Sequence, residues 1–270
     1  MPELLGIGKH LRSQLSHILA ATGGVVTPTE VAQTLGVAPR EAANILGRLA
    51  ARGWIRRIRR GLYVPIPLEA LVDTGVIEEP WVVADRLFAP CYIGGWSAAH
   101  HWGLTDQLFI TTLVVTVKKA SSRDQRVGEA RFLLKRTKPD RLFGLELIRL
   151  DRVPVLLSDP TRTIIDILND PTLAGGILSA FDMLEQYFRS EHRDLKRLIE
   201  YGDRLGNGTV FKRLGFLTEY LMPDSHELIK ACQKRITKGY SQVEPGLEGG
   251  ISSAKWRLHI SEALRGWITS

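Results

Sequence analysis

Polar residues that can read DNA bases recur at every fourth position in one stretch of the chain. Arg40, Asn44 and Arg48 have this spacing, and Ile45 and Leu49 directly follow the last two. On a helix, side chains four residues apart share one face, so the three polar residues would point away from the two apolar ones. Arg can form paired hydrogen bonds with guanine, and Asn with adenine, in the major groove. The spacing therefore predicts a helix face that reads bases.

A block of further arginines follows this stretch. Its members are Arg52, Arg56, Arg57, Arg59 and Arg60. We expect the last four to contact DNA phosphates or to enter the minor groove, where they would supply affinity and salt dependence. Together with the three residues above, these five arginines are the predicted DNA-binding residues of the chain.

Three short helices are predicted to position these side chains. Leu11, Leu15 and Ile18 lie on one stripe of a helix over residues 10–22. The segment 27–30, Thr-Pro-Thr-Glu, is a capping box with proline at the first helical position, so a second helix starts there and stops at Gly36. A third helix covers residues 40–52. The short turn between the last two helices is typical of a helix-turn-helix, whose second helix can lie in the major groove.

The residues after the third helix predict a hairpin. Two β-prone stretches within residues 53–65 flank a turn at residues 59–61, which places arginines at the tip of a β-wing. Helix, helix, helix and wing in this order describe a winged helix-turn-helix. Such a module could instead bind a protein and carry an incidental basic face, and this alternative stays open.

The net charge of the chain is concentrated in the same region. The 270 residues carry a formal net charge of +7, from 36 Lys and Arg against 29 Asp and Glu. Residues 1–67 have nine basic and three acidic side chains, a net charge of +6, which leaves +1 for the other 203 residues. A charge run alone is compatible with a solvated face. Concentrated on one small surface, it is also what a phosphate-binding module needs.

Composition excludes several classes of protein. Hydrophobic residues make up 44% and charged residues 24%, which is typical of a globular protein and excludes disorder of the whole chain. No apolar run approaches the ~18–20 residues that cross a bilayer, and no signal segment is recognised at the N-terminus. Two cysteines, Cys91 and Cys232, form no C-x-x-C pair. We expect a cytoplasmic protein with reduced thiols.

Beyond residue 67 the sequence predicts a second unit. Residues 1–67 form the predicted DNA-binding domain, 68–84 an acidic, proline-punctuated linker, and 85–270 an α+β domain. This domain is expected to be sheet-rich over 90–158, helical over 159–236, and to end in a tail over 237–270. Predicted strands cover residues 108–118, 131–135, 145–150, 154–157 and 255–260, and predicted helices cover 95–103, 159–168, 173–188, 192–205, 209–221 and 225–235.

A second basic cluster lies between Lys118 and Arg141. Nine basic side chains face three acidic ones there, a net charge of +6. Acidic neighbours elsewhere in the unit balance it, which favours a solvated sheet edge. The alternative is an auxiliary nucleic-acid surface beside the wing.

Few residues suggest catalysis or metal binding. His100 and His101, near Asp106, are adjacent on a predicted helix and point about 100° apart, whereas zinc-binding helices space histidines four apart. Asp159 and Asp166 could form a nuclease pair, but Asp159 directly precedes Pro160 and is better explained as a helix cap. The sequence has no phosphate-binding loop motif and no nucleophile elbow. We therefore predict no enzyme activity, metal or cofactor.

The chain resembles the AbiEi-like antitoxins of bacterial type IV toxin–antitoxin systems, which act in abortive infection. Three ordered stretches carry the resemblance: the winged helix ending in RGLYV at 60–64, YIGGWSAA at 92–99, and VLLSDPTRTIIDIL at 155–168. A tail with Gly239, Tyr240, Pro245 and Trp256 is also similar. One departure is Arg162-Thr163, where the family commonly has a lysine–alanine pair.

The resemblance implies a function that the residues alone support only in part. It implies a transcriptional autorepressor that binds inverted repeats in double-stranded DNA at its own promoter. It also implies an antitoxin that counteracts a separately encoded nucleotidyltransferase-like toxin, without requiring a stable complex between the two. The second unit would be needed for neutralisation.

Two other functions remain open from the sequence. One is a nuclease or nucleotide-modifying enzyme that the winged helix targets to DNA. The other is a plain regulator or adaptor whose C-terminal part binds a protein or a small ligand.

Overall fold

The computed structural model describes residues 8–22, 26–59, 61–65, 79–120, 122–150, 153–246, 250–260 and 264. Its N-terminal part has three helices followed by an antiparallel hairpin. These are α1 (Lys9–Thr22), α2 (Pro28–Leu35), α3 (Pro39–Ala51), β1 (Ile55–Arg59) and β2 (Leu62–Pro65). The predicted elements of this part and their order are thus confirmed.

Local capping fixes the position of α2. The Oγ1 of Thr27 accepts a hydrogen bond from the backbone N–H of Glu30 at 3.3 Å, and the Glu30 carboxylate accepts one from the N–H of Thr27 at 3.0 Å. This is the predicted capping box. The helix ends at Gly36, whose φ of +65° is left-handed and favours glycine. The chain can therefore turn at once into α3.

The three helices and the hairpin share a core. Ile45, Leu46 and Leu49 of α3 are fully buried, together with Ile18 of α1. Tyr63 of β2 joins this core and pairs with Val26 through two backbone hydrogen bonds of 2.7 and 2.9 Å. The hairpin is therefore fastened to the chain that leads into α2, which sets its position beside α3.

A mixed six-stranded sheet forms the centre of the rest of the chain. Its strands, in spatial order, are β5 (Asp124–Val127), β6 (Ala130–Arg136), β4 (Thr111–Thr116), β3 (Cys91–Ile93), β8 (Val153–Ser158) and β7 (Leu145–Leu150). The pairs β4–β6 and β3–β8 are parallel, and the other neighbouring strands are antiparallel.

Helices cover both faces of this sheet. Leu113 and Val115 of β4 pack against the larger helical cluster, and Val114 between them packs against α4 (Pro80–Phe88). This alternation is the two-residue period of a strand buried on both sides. The protein is a mixed α/β structure, in agreement with the α+β class predicted from sequence.

The C-terminal part is mainly helical and ends in a small sheet. Its helices are α6 (Pro160–Asn169), α7 (Ile177–Arg189), α8 (Leu195–Leu205), α9 (Gly208–Leu221) and α10 (His226–Gln233). One further helix, α5 (Gly95–His101), lies earlier in the chain, between β3 and β4. Single 3₁₀ turns cover Pro139–Arg141 and Pro171–Ala174. The small sheet has the order β10 (Ile251–Ser253), β11 (Leu258–Ile260) and β9 (Ser241–Gln242). None of the described helices is long and apolar enough to cross a membrane.

The predictions of the linker and of two strands need correction. The strand predicted over 255–260 covers only Leu258–Ile260, because residues 254–257 form a turn. The predicted linker 68–84 ends within α4, because Val82, Val83 and Leu87 form an apolar stripe that packs on the sheet. The division into two domains remains a prediction, with its boundary at residue 85 lying inside this helix. The strand predicted over 108–118 is shorter, because Leu108 and Ile110 are 84% and 86% exposed and the strand starts at Thr111.

Contacts join the N-terminal elements to α4. Arg86 donates to a Glu30 carboxylate oxygen at 2.8 Å and to the backbone oxygen of Thr22 at 2.9 Å. Leu62 and Val64 of the hairpin pack in the same apolar cluster as α4. The hairpin therefore has one face on the three-helix core and the other towards α4.

Candidate nucleic-acid interface

The three predicted base-reading residues lie together on the outer face of α3. Arg40, Asn44 and Arg48 are all exposed, whereas Ala42 and Ile45 of the same helix are fully buried. The helical period therefore separates a polar face from the core face, as predicted. The guanidinium and carboxamide groups on that face are therefore exposed to solvent.

The arginines after α3 are placed on both faces of the hairpin. Arg52 follows the helix and is half-buried, and Arg56 and Arg57 in β1 are exposed. The Arg57 guanidinium lies 6.0 Å from the ring centre of Tyr63, its partner across the hairpin. Because successive side chains of a strand point to opposite faces, Arg57 shares the face of the three-helix core, and Arg56 points to the other.

The two hairpin faces thus carry different arginines. Arg57 lies on the face that packs on the three-helix core, and Arg56 lies on the face towards α4. The backbone of Arg59 pairs with Leu62 after a bulge. The Arg59 side chain and all of Arg60 lie outside the described residues, so their predicted roles stay predictions.

The second basic cluster surrounds one end of the central sheet. Lys118, Lys119 and Arg123 lie between β4 and β5, and Arg136 ends β6. Lys135 differs from these residues because it forms an ion pair with Asp170. Lys135 therefore has a structural role, whereas the other four residues are exposed cations.

The motifs at 92–99 and 155–168 meet in a buried polar network. Tyr92 donates a hydrogen bond to Oδ2 of Asp166 at 2.7 Å, and Arg162 donates from Nε to Oδ1 of Asp166 at 2.9 Å. Arg162 also donates to the Tyr92 hydroxyl at 3.0 Å and stacks 4.0 Å from the Phe143 ring centre. Asp159 caps α6 by accepting from the N–H of Arg162 at 2.6 Å. The role of Asp159 was predicted, whereas the Tyr92–Arg162–Asp166 contact was not.

Burial governs protonation in this network. It raises the pKa of Tyr92 well above its usual range, and the Asp166 charge adds to the rise, so the phenol keeps its proton and acts as a donor. Burial also raises the pKa of Asp166, against the opposing charge of Arg162. Both carboxylates of the conceivable nuclease pair are therefore occupied: Asp159 as a cap and Asp166 as the counter-ion of a buried arginine.

One of the two adjacent histidines, His101, takes part in aromatic packing. The ring of His101 lies 4.8 Å from that of Trp102 and 5.6 Å from that of Trp81. Trp96 instead stacks on Phe109 at 5.0 Å. Within the described residues, no three His, Cys, Asp or Glu side chains come together as a metal site would require.

The N-terminal part matches a known family. Residues 13–66 match the model described as "Transcriptional regulator, AbiEi antitoxin". The matched segment runs from within α1 to just past β2, so it contains the α3 face and the hairpin. The resemblance predicted from the sequence is confirmed over these residues. No curated protein matches the chain in sequence.

The fold of nearly the whole chain is similar to a solved structure. The crystal structure of the RV2827C protein from Mycobacterium tuberculosis matches with a TM-score of 0.56, covering 96% of this chain and 94% of that one. The two sequences are 16% identical. At this identity the likeness concerns the fold.

Proposed function

We propose that the chain is a DNA-binding transcriptional regulator whose N-terminal part is a winged helix-turn-helix. The observation that carries the proposal is the outer face of α3, where Arg40, Asn44 and Arg48 are exposed together. This helix enters the major groove, and the wing arginines contact the flanking phosphates. The family match over residues 13–66 supports this assignment.

We further propose that the regulated gene is its own. The operator consists of inverted repeats at the promoter of the operon, and binding represses transcription. The direct experiment is footprinting of the purified protein on the DNA upstream of its own reading frame. Two protected half-sites support the proposal, and the absence of a footprint at low salt contradicts it.

The second activity that we propose is that of an antitoxin. The protein counteracts a nucleotidyltransferase-like toxin in the cytoplasm, without itself being an enzyme. This rests on the family match and on the engagement of Asp159 and Asp166 in the fold. The toxin encoded in the adjacent reading frame should arrest growth when it is expressed alone. Co-expression of this protein should restore growth.

A variant can separate the two activities. Replacing Arg40 and Arg48 with Ala removes base contacts but leaves the core of α3 intact, because both side chains are exposed. We expect this variant to lose promoter binding and to keep toxin neutralisation, which we assign to the C-terminal part. Loss of both activities would show that neutralisation requires DNA binding.

A further inference from the structure

A basic cleft of about 510 Å³ lies at one end of the central sheet. Five of its lining residues are cationic, and none of the described residues that line it carries a carboxylate. The cationic residues are Lys118, Lys119, Arg123, Lys135 and Arg136. Its volume is within the range of ~300–1,000 Å³ that is typical of small-ligand sites. The cleft is part of the cluster between Lys118 and Arg141, and it is distinct from the α3 face.

The topology of the sheet brings these residues together. Strands β4 and β6 are parallel, and Thr116 at the end of β4 pairs with Arg136 at the end of β6. Arg123 directly precedes β5, which is antiparallel to β6, so it arrives at the same end. The backbone oxygen of Arg123 accepts from the N–H of Leu134 at 2.7 Å and holds the loop in place. Crevices at the carboxyl ends of parallel strands are where α/β sheets commonly bind ligands.

Three of the five cations have no partner within the described part of the chain. Lys119, Arg123 and Arg136 are exposed, and no ion pair or side-chain hydrogen bond engages them there. Lys118 donates to the backbone oxygen of Leu87 at 3.2 Å, which orients its ammonium without neutralising it. Lys135 is already paired with Asp170. Three guanidinium or ammonium groups are thus left to bind an anion.

A smaller compartment of about 220 Å³, with both polar and apolar walls, adjoins the basic cleft. It shares five lining residues with the cleft, Lys118 and Lys119 among them, and adds Leu87, Phe88 and Gln125. Gln125 donates from Nε2 to the backbone oxygen of Ser122 at 3.0 Å, which fixes the carboxamide. Its Oε1 can accept a hydrogen bond from an exocyclic amino group. A flat apolar group with a polar edge matches this compartment.

We propose that the two compartments together bind a nucleotide. The phosphates lie on Lys119, Arg123 and Arg136, since planar guanidinium groups bind phosphate oxygens in pairs. The base lies in the smaller compartment, with one face on Leu87 and Phe88 and its amino group towards Gln125. The ligand class is a nucleoside polyphosphate whose base carries an exocyclic amino group, as ATP and GTP do.

Calorimetric titration of the full-length protein with ATP, GTP and tripolyphosphate tests the proposal. We expect saturable binding of one of the nucleotides at low salt and weaker binding of tripolyphosphate. The double variant K119A/R123A should weaken nucleotide binding by about a hundredfold, because each of the two charge-assisted contacts to phosphate is worth about one factor of ten. Q125L should weaken nucleotide binding and leave tripolyphosphate binding unchanged.

Two controls make the test specific. R131A removes an exposed arginine of β6 that does not line the cleft, and it should bind nucleotide as the wild type does. Promoter DNA binding should be the same in K119A/R123A as in the wild type, so failure of the nucleotide site and failure of the DNA-binding proposal can be told apart.

Four results would overturn the proposal. The first is that neither nucleotide binds saturably at millimolar concentration, and the second is that the wild type and K119A/R123A bind nucleotide equally. The third is that tripolyphosphate and nucleotide bind with equal affinity. The last is that K119A/R123A loses affinity for DNA and not for nucleotide. The third result would indicate a bare polyphosphate site. The last would indicate an extended nucleic-acid track instead of a nucleotide site.

Discussion

Tyr92 donates a hydrogen bond of 2.7 Å to Oδ2 of Asp166, 74 residues further along the chain. Asp166 also pairs with Arg162 on the same helix, and the Arg162 side chain is 1% exposed. A single carboxylate thus ties β3 to α6. One buried contact therefore joins the motifs at 92–99 and 155–168, on which part of the family resemblance rests.

Replacing this carboxylate should destabilise the fold. D166N keeps the size of the side chain but leaves the buried Arg162 without its counter-ion, and breaking such a pair costs about 3–5 kcal/mol. Urea denaturation at neutral pH measures the change. The control is E185Q, which breaks the exposed Glu185–Arg189 pair and should change stability by no more than about 1 kcal/mol. Equal effects of the two variants would contradict this account of Asp166.

A close approach of Trp256 to α9 requires glycine at position 215. A Cβ built on Gly215 would overlap the Trp256 ring, which is fully buried. We expect G215A to displace the ring and to lose at least about 1–3 kcal/mol of stability, as overpacked cores do. In the matched control G47A, the added Cβ lies on the exposed face of α3 and meets nothing within 4 Å. The temperature of thermal unfolding should therefore be unchanged or higher.

Both cysteines should be unreactive in the folded protein. Burial raises the pKa of Cys91 and of Cys232 from 9.0 to about 12 in each case. Since the thiolate is the reacting form, a thiol reagent at pH 8 should label neither residue until denaturant is added, when both should react. Rapid labelling of the native protein would contradict the burial of these side chains.

The same two thiols make stability depend on alkaline pH. In the unfolded chain they ionise near pH 9, and in the folded protein near pH 12, so the unfolded state binds fewer protons between these values. The stability that they contribute is complete below pH 9 and is lost as the pH rises towards 12. Replacing both cysteines with Ala should flatten the pH dependence of the unfolding midpoint in this range.

The wing arginines should control affinity and not sequence preference. If Arg59 and Arg60 contact phosphates, the variant R59A/R60A should bind every DNA sequence more weakly. The slope of log affinity against log salt should become shallower by about one for each phosphate that the variant no longer neutralises. Anisotropy titrations at several salt concentrations measure both quantities. An unchanged slope would remove these residues from the interface.

Local signals in the sequence were sufficient for the N-terminal part. The capping box of Thr27 and Glu30, the turn at Gly36 and the apolar period of α3 all act over a few residues, so the elements and the exposed polar face could be predicted. Helix α4 was missed because its acidic, proline-marked surroundings resemble a linker. Its apolar stripe becomes meaningful only against the central sheet.

Long-range contacts account for the rest of what the sequence did not predict. The spacing of Arg162 and Asp166 is compatible with a surface ion pair, and only the fold brings Tyr92 to them. The basic cleft likewise depends on the parallel pairing of β4 and β6, which no local pattern specifies. Which of Arg56 and Arg57 faces the three-helix core depends on the register of the hairpin, which pairs Arg57 with Tyr63.

The central claim is that α3 reads DNA sequence, and Asn44 tests it most directly. Binding of wild type and N44A should be measured on the promoter duplex and on a set of duplexes with single base-pair changes. The account predicts that N44A loses discrimination at one base pair, worth about 1–3 kcal/mol, and keeps it at all others. Binding by the wild type that is indifferent to sequence, or no binding at low salt, would contradict the account.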